Sequence, residues 1–453
     1  MRIKNNESYV KQRIRLIGGH LTGIWDHNSF FVGDSPYPLP CINYVTANLI
    51  NVPAVLYNNN VKIFYHLSGY GSSYEEAKLS FLGESSERYA FSVMPATLKQ
   101  DIVSASYVEL VTKYGKDSVL PLEYINIFSD STKYLKTDDV IEWVKMRSVL
   151  FPEKSIFEPL PLVMFTAPSK NQTKQLSLNA VSTGTASHET IKQAFENSLI
   201  EYLQVDSYNL WWYGGHTGKK IDVDVKSFLY RHFGSYMSDF LKRFEICFTD
   251  ISFDKPLWIV VCEIFGKGEQ TPKYTVGIQG AYDLEKALYR GLMETLTEMA
   301  YSINLSWMDS ELLKKAPNLK GQMKDLDTNV AYYALHEKPH LVANQKKLDS
   351  SKKASNLVDL VNYSQKLLKW AAVVNITPVE FENLNLNVTR LLAPAMLPIC
   401  LPSFPPTRHP RYLETGGILN EYEHPMAWKS ILYFFDDAGS LYFLFKAFFN
   451  ICI

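Results

Sequence analysis

Three segments of the chain carry one short pattern of chemically able side chains. Aligned on an alanine, they read Ala77, Ser80, Glu84, Glu87, then Ala194, Asn197, Glu201, Gln204, then Ala287, Arg290, Glu294, Thr297. At ~100° per residue in a helix, these offsets fall within an arc of about 80°, so each set shares one helix face. Leu79, Leu82, Phe195, Leu199, Leu288 and Leu292 lie off that stripe and are expected to hold the helices on a core. The small alanine is expected to open the stripe to close approach. Glutamate is common on solvated helix faces, so one such helix says little. The threefold match, each behind a glycine-bearing turn, says more.

Carboxylates gathered from three helices form a cluster of like charge. Burying it is costly unless the groups are paired or bound to metal. Oxygen ligands of this kind select hard divalent ions, magnesium above all. Magnesium in turn brings phosphate, and Arg88 and Arg290 can supply complementary positive charge to phosphate oxygens.

The elements that must position these residues repeat too. An apolar, strand-like run precedes a glycine turn and a helix in each case. The runs are Val61-Lys-Ile-Phe-Tyr-His-Leu, Leu176-Ser-Leu-Asn-Ala-Val, and the pair beginning at Leu257 and Tyr274. The turns are Ser68-Gly-Tyr-Gly-Ser-Ser, Ser182-Thr-Gly-Thr-Ala-Ser and the stretch after Gly280. Ser73 with Glu76 reads as a capping box, and Ser187 and Asp283 as N-caps of helices from His188 and Leu284. Alternating strands and helices predict an α+β, α/β-like domain whose helices line a central site. Residues 336–353 are polar and lysine-rich, and read as a surface insertion. From Asn375 to Arg411 seven prolines predict an extended surface segment rather than helix.

Composition narrows the function classes. The 453 residues are 46% hydrophobic and 21% charged, with net charge −1, so no global field recruits nucleic acid or an acidic membrane. Cys41, Cys247, Cys262, Cys400 and Cys452 form no paired-cysteine motif, which argues against a zinc site or disulfide framework and fits a cytoplasmic location. The start, Met1 to Glu7, is charged and lacks a signal core. Residues 441–453 are apolar but far short of the ~20 residues of a membrane span. No P-loop, HExxH or GxSxG motif occurs. His188 reads as a helix-start residue, and Trp211, Trp212 and Tyr213 as packing.

At this point the motifs resemble a known family. The chain is similar to YcaO-domain proteins, of the azoline-forming cyclodehydratase branch, from about Leu16 to His424. Leu21-Thr-Gly-Ile resembles the family's N-terminal segment. Gly71-Ser-Ser-Tyr-Glu-Glu-Ala-Lys-Leu-Ser-Phe-Leu-Gly-Glu-Ser-Ser-Glu-Arg resembles its first nucleotide motif. Ser182-Thr-Gly-Thr-Ala-Ser-His and Glu201-Tyr-Leu-Gln-Val-Asp resemble the second, and Ala287-Leu-Tyr-Arg-Gly-Leu-Met-Glu the third. Val388-Thr-Arg-Leu-Leu-Ala-Pro-Ala-Met-Leu-Pro and His409-Pro-Arg resemble the C-terminal region.

The resemblance implies a YcaO-type catalytic domain over residues 1–425 and an apolar extension over 426–453. It implies ATP and Mg2+ as cofactors. Glu84, Glu87, Glu201 and Glu294 would hold magnesium, while Ser80, Arg88, Asn197, Gln204 and Arg290 would contact ATP. Arg290 and Glu294 would be catalytic, stabilising charge on phosphoryl oxygens. It also implies a ribosomally made precursor peptide as substrate and a separate ThiF-like docking protein. A flavin-dependent azoline dehydrogenase is a further implied partner, and a homodimer stays open. Two departures stand out. Gln204 and Val205 replace the Glu and Arg usual in the second motif. Glu423-His-Pro-Met-Ala-Trp resembles the run-up to the family's proline-rich tail, but apolar residues follow. Thioamide or amidine formation, or a scaffold role, are the alternative readings.

Overall fold

The structure is a computed structural model. It describes residues 11–18, 23–26, 31–34, 42–52, 66–128, 134–164, 180–234, 237–308, 310–315, 326–337, 353–400 and 408–415. Three long helices organise it: α1 (Tyr74–Thr97), α2 (Ile191–Trp212) and α3 (Leu284–Met308). Each starts on a side-chain cap. Ser73 Oγ accepts from the Glu76 N–H, Thr190 Oγ1 from Gln193, and an Asp283 carboxylate oxygen from Lys286. Ser187 is therefore not the cap of α2. Its backbone is engaged in a strand, opposite Val388, and the helix begins only after it. Glu76 completes no capping box either, because its carboxylate accepts from the Ser72 N–H instead.

The strands form three sheets, antiparallel throughout their ladders. The first joins β1 (Phe31–Asp34), β2 (Asn43–Asn48) and β3 (His66–Gly71). The second runs through β4 (Ile102–Ser106), β5 (Val140–Ser148), β12 (Ala372–Asn375), β13 (Asn387–Leu392) and β7 (Thr185–His188), with β6 (Ser155–Pro159) on β5. The third orders β11 (Tyr274–Ala281), β10 (Trp258–Gly266), β9 (Phe244–Asp250) and β8 (Lys219–Lys220). Antiparallel ladders with helices laid on them make the fold α+β.

Each long helix lies on the strand or strands of its own unit: α1 on β3, α2 on β7 and β13, α3 on β11. Glycine permits the approach. A Cβ on Gly69 would sit 2.1 Å from the Phe81 nitrogen, and one on Gly277 2.6 Å from the Thr295 nitrogen. The expected glycine turn at 68–71 is thus strand, with glycine serving contact rather than chain reversal. The same packing explains the alanines. Ala77, Ala194 and Ala287 are all fully buried, so they do not open the stripe to solvent.

Leu82, Leu199, Leu288 and Leu292 enter the core as expected, and Phe195 packs partly buried at its edge. Leu79 does not. It is 43% exposed because, at ~200° from Ala77, it points away from the sheet. The proline-rich stretch also departs from expectation. It carries β13, a central strand with Val388 and Arg390 fully buried. Trp211, Trp212 and Tyr213 are buried packing residues. The strand expected at 176–181 lies mostly outside the described residues. So do the first part of the run at 61–67, most of the 336–353 insertion, and all of 426–453.

One buried ion network ties α2 to the segment 408–415. Arg411 Nη2 lies 2.9 Å from Asp206 Oδ2 and 2.7 Å from Asp254 Oδ1, and Lys255 Nζ pairs with both carboxylates. Burial opposes ionisation of Asp206, but Arg411 and Lys255 overcome it and hold its carboxyl below the usual range. Removing one member leaves the rest uncompensated. Arg411→Ala should therefore destabilise the chain by about 3–5 kcal/mol, measured by urea unfolding. A loss under about 1 kcal/mol would show the network to be dispensable.

Candidate active site

The three conserved-offset glutamates perform the same task in each unit. Each lends one carboxylate oxygen to a backbone N–H in or beside the strand it packs on. Glu84 Oε2 accepts from Ser68 at 2.8 Å, Glu201 Oε2 from Gly184 at 3.0 Å, and Glu294 Oε2 from Ile278 at 3.0 Å. The residue one turn later reaches into the next unit. Glu87 Oε1 accepts from the Ser187 N–H at 2.9 Å, so α1 holds β7. Gln204 Oε1 accepts from the Gly280 N–H at 2.8 Å, so α2 holds β11. The third unit closes on the first by other means. Arg290 Nη1 lies 3.4 Å from Glu76 Oε1, and the Tyr289 hydroxyl donates to Glu76 Oε2 at 2.8 Å. Arg290 also lies over the Tyr70 ring, 5.2 Å from its centre.

The cluster carries strained charge. Burial pushes Glu84 up to about 7, only partly relieved by Arg88, whose Nε is 3.5 Å from Glu84 Oε1. Burial pushes Glu87 up to about 8, with Glu201 and Glu84 adding repulsion. Burial raises Glu294 well above the carboxylate range, and the charges of Glu298 and Glu201 add to it. Glu201 of α2 thus bears on both Glu87 of α1 and Glu294 of α3. Ser80 is half-buried and Asn197 exposed one turn before their glutamates, at the outer end of the same stripes.

Sequence spacing singled out Glu84, Glu87, Glu201, Gln204 and Glu294, each of which accepts from a backbone N–H in or beside a strand. It missed Glu76, Tyr289 and Tyr70, which anchor Arg290, and Glu298, one turn beyond Glu294. Glu76 was legible only as a cap, and its second oxygen found a cross-unit role that no local pattern signals.

The residues fit a divalent cation. Glu84 Oε1 is buried with only the long Arg88 ion pair beside it, Glu87 is repelled by Glu201 and Glu84, and Glu294 by Glu298 and Glu201. A cation between them would relieve these repulsions. Among the described residues no three metal-capable side chains converge tightly enough to cage an ion alone.

The fold and cluster thus define a protein of three glycine-strand–helix units with an inward carboxylate set. A family model described as YcaO cyclodehydratase, ATP- and Mg2+-binding, matches residues 68–397, and the chain belongs to that family. The solved structure of a heterocyclase in complex with substrate and cofactor superposes with a TM-score of 0.59 at 17% identity. That match covers 86% of this chain and 52% of the heterocyclase, so the chain spans about half its length. The E. coli microcin synthetase McbBCD complex gives 0.51 at 14% identity, covering 81% of this chain and 88% of that one. These likenesses concern the fold. Curated protein sequences gave no match. Among the described residues no helix is long and apolar enough to cross a membrane.

The raised carboxyls set a pH dependence. Carboxyls pushed from about 4.5 to 7–8 bind protons more tightly folded than unfolded. Their contribution is full below about pH 4.5 and is lost as pH rises through 7–8. Metal-free protein should lose several degrees of Tm between pH 6 and 8.5, at about 1 °C per kcal/mol for a chain of this length, and Mg2+ with ATP should restore more at the higher pH. Differential scanning calorimetry at the two pH values checks this. An unchanged Tm would show these groups to be ionised in the free protein.

Proposed function

We propose that the chain is an ATP-dependent cyclodehydratase subunit acting on a ribosomally made precursor peptide. The observation carrying this reading is the set of Glu84, Glu201 and Glu294, each fixed on its strand by one oxygen, with Glu201 repelling Glu294. Family membership supports ATP and Mg2+ as the cofactors. Magnesium and ATP, when bound, supply the phosphoryl group and the charge that neutralises its transfer.

In this reading Glu84, Glu87, Glu201 and Glu294 hold metal, with each clamped oxygen fixing the carboxylate's rotation. Ser80, Arg88, Asn197 and Arg290 would contact the nucleotide, and Arg290 and Glu294 would stabilise charge on the transferred phosphoryl group. Gln204 presents a neutral carbonyl, and spending it on Gly280 lowers the negative charge at the second helix. A Cys, Ser or Thr side chain of the peptide attacks the preceding carbonyl carbon. The former amide oxygen takes the phosphoryl group and departs as phosphate, leaving a thiazoline or oxazoline. The net loss from the peptide is one water.

The partners proposed are a separate ThiF-like docking protein that grips the peptide leader and a flavin-dependent dehydrogenase for the azolines. The McbBCD likeness supports assembly with other subunits, since that structure is itself a complex. The cytoplasm is the proposed location.

The full chain, incubated with docking protein, Cys-containing precursor, ATP and Mg2+, should lower peptide mass by one water per modified residue. Glu84→Gln and Glu294→Gln should each cut that rate at least about 100-fold. ATP turnover without water loss would move the reading to thioamide or amidine formation. Absence of nucleotide binding would leave a scaffold role.

A further inference from the structure

Arg290 has two carboxylates near it, and it pairs with the one that is distant in sequence. Glu294 lies four residues further along α3, a spacing that makes helix side chains neighbours. The charges of Glu76 and Glu294 both bear on the guanidinium. The ion pair nevertheless runs to Glu76 of α1, with Nη1 3.4 Å from Oε1, and among the described residues Arg290 and Glu294 form none. The spacing itself permits a pair. In the first unit Arg88 and Glu84, also four apart, stand 3.5 Å from one another.

Glu76 is held in place to make this diversion. Its Oε2 takes the Ser72 N–H at 2.9 Å, the Ser72 hydroxyl at 3.2 Å and the Tyr289 hydroxyl at 2.8 Å. Three donors on one oxygen fix the carboxylate and leave Oε1 to Arg290. Tyr70, 1% exposed, offers its ring face to the same guanidinium. Arg290 is therefore held on two sides, by an aromatic face and by a clamped carboxylate. Its side chain is 25% exposed and that of Glu76 29%, so the pair adds little to stability. Its effect is on where the guanidinium points.

We infer that Glu76 is a positioning residue that holds Arg290 off Glu294, a step that rests on the proposed function for the roles of Arg290 and Glu294. Glu294 commits Oε2 to the Ile278 N–H, so its Oε1 is the oxygen at stake. A guanidinium turned onto that oxygen would occupy it and offset the charge that attracts a divalent ion. With Arg290 on Glu76 and Tyr70, Glu294 stays open to the ion, and the remaining N–H groups of Arg290 stay open to an anion. Glutamine at position 76 would break this link selectively. Its carbonyl oxygen can keep the donors of Ser72 and Tyr289, while its NH2 group would meet Arg290 donor against donor.

Calorimetric titration of the full chain with ATP at stepped Mg2+ concentrations gives the Mg2+ needed for half of the full gain in ATP affinity. Glu76→Gln should raise that concentration at least about fivefold, as Arg290 turns to Glu294. Adding Arg290→Gln removes the side chain that turns, and should bring the double variant to within about twofold of the Arg290→Gln protein. General damage to the fold would not be repaired by a second substitution. An unchanged Mg2+ requirement in Glu76→Gln, or one that stays raised in the double variant, would overturn the inference and leave the nucleotide site standing. Wild-type protein that binds no ATP, or binds it equally well without Mg2+, would remove the proposed function and this role of Glu76 with it.

Discussion

The bond between a buried helix carboxylate and a strand N–H is the constraint on which the site depends. It occurs once in each unit, at Glu84 with Ser68, Glu201 with Gly184 and Glu294 with Ile278. Leaving either group unpaired in the interior would cost a few kcal/mol, so the pairing fixes the register of helix on strand. It also fixes the carboxylate itself. One oxygen of each is committed to the strand. Glycine makes the bond reachable, because at Gly69 and Gly277 any larger residue would push strand and helix apart.

Cross-unit bonds then close the three units on one another. Glu87 carries α1 to β7, Gln204 carries α2 to β11, and Tyr289 with Arg290 carries α3 back to Glu76. The neutral Gln204 has a physical logic in this circuit. It makes the N–H bond that a glutamate would make, without adding another charge to carboxyls already pushed toward protonation. The metal-free cluster is therefore relieved by protons, and a divalent cation is the stronger remedy at neutral pH.

Much of this was legible in the sequence because helix periodicity is rigid. Offsets of seven and ten residues from Ala77, Ala194 and Ala287 pick out Glu84, Glu87, Glu201, Gln204 and Glu294, each of which bonds a backbone N–H in or beside a strand. Elements set by tertiary pairing were less legible. Ser187 has the chemistry of a cap, yet strand pairing with Val388 and the bond to Glu87 claim its backbone, and Thr190 caps the helix. The glycines at 69 and 71 look like a turn because glycine's local meaning is flexibility, while here its value is the absent Cβ. The prolines after Asn375 hid β13, since a strand of six residues fits between them. Glu76 and Glu298 were missed for one reason: their roles are set by neighbours on other helices and strands, which no single-helix pattern encodes.

The central claim is that the three clamped glutamates form one metal-dependent nucleotide site. Equilibrium binding of ATP to the full chain, measured by calorimetry with saturating Mg2+ and again with chelator, tests it most directly. The account predicts measurable binding with Mg2+ and a loss of at least about tenfold without it, with Glu294→Gln reproducing the loss when Mg2+ is present. ATP bound equally well with chelator, or by the Glu294→Gln protein at wild-type affinity, would contradict it.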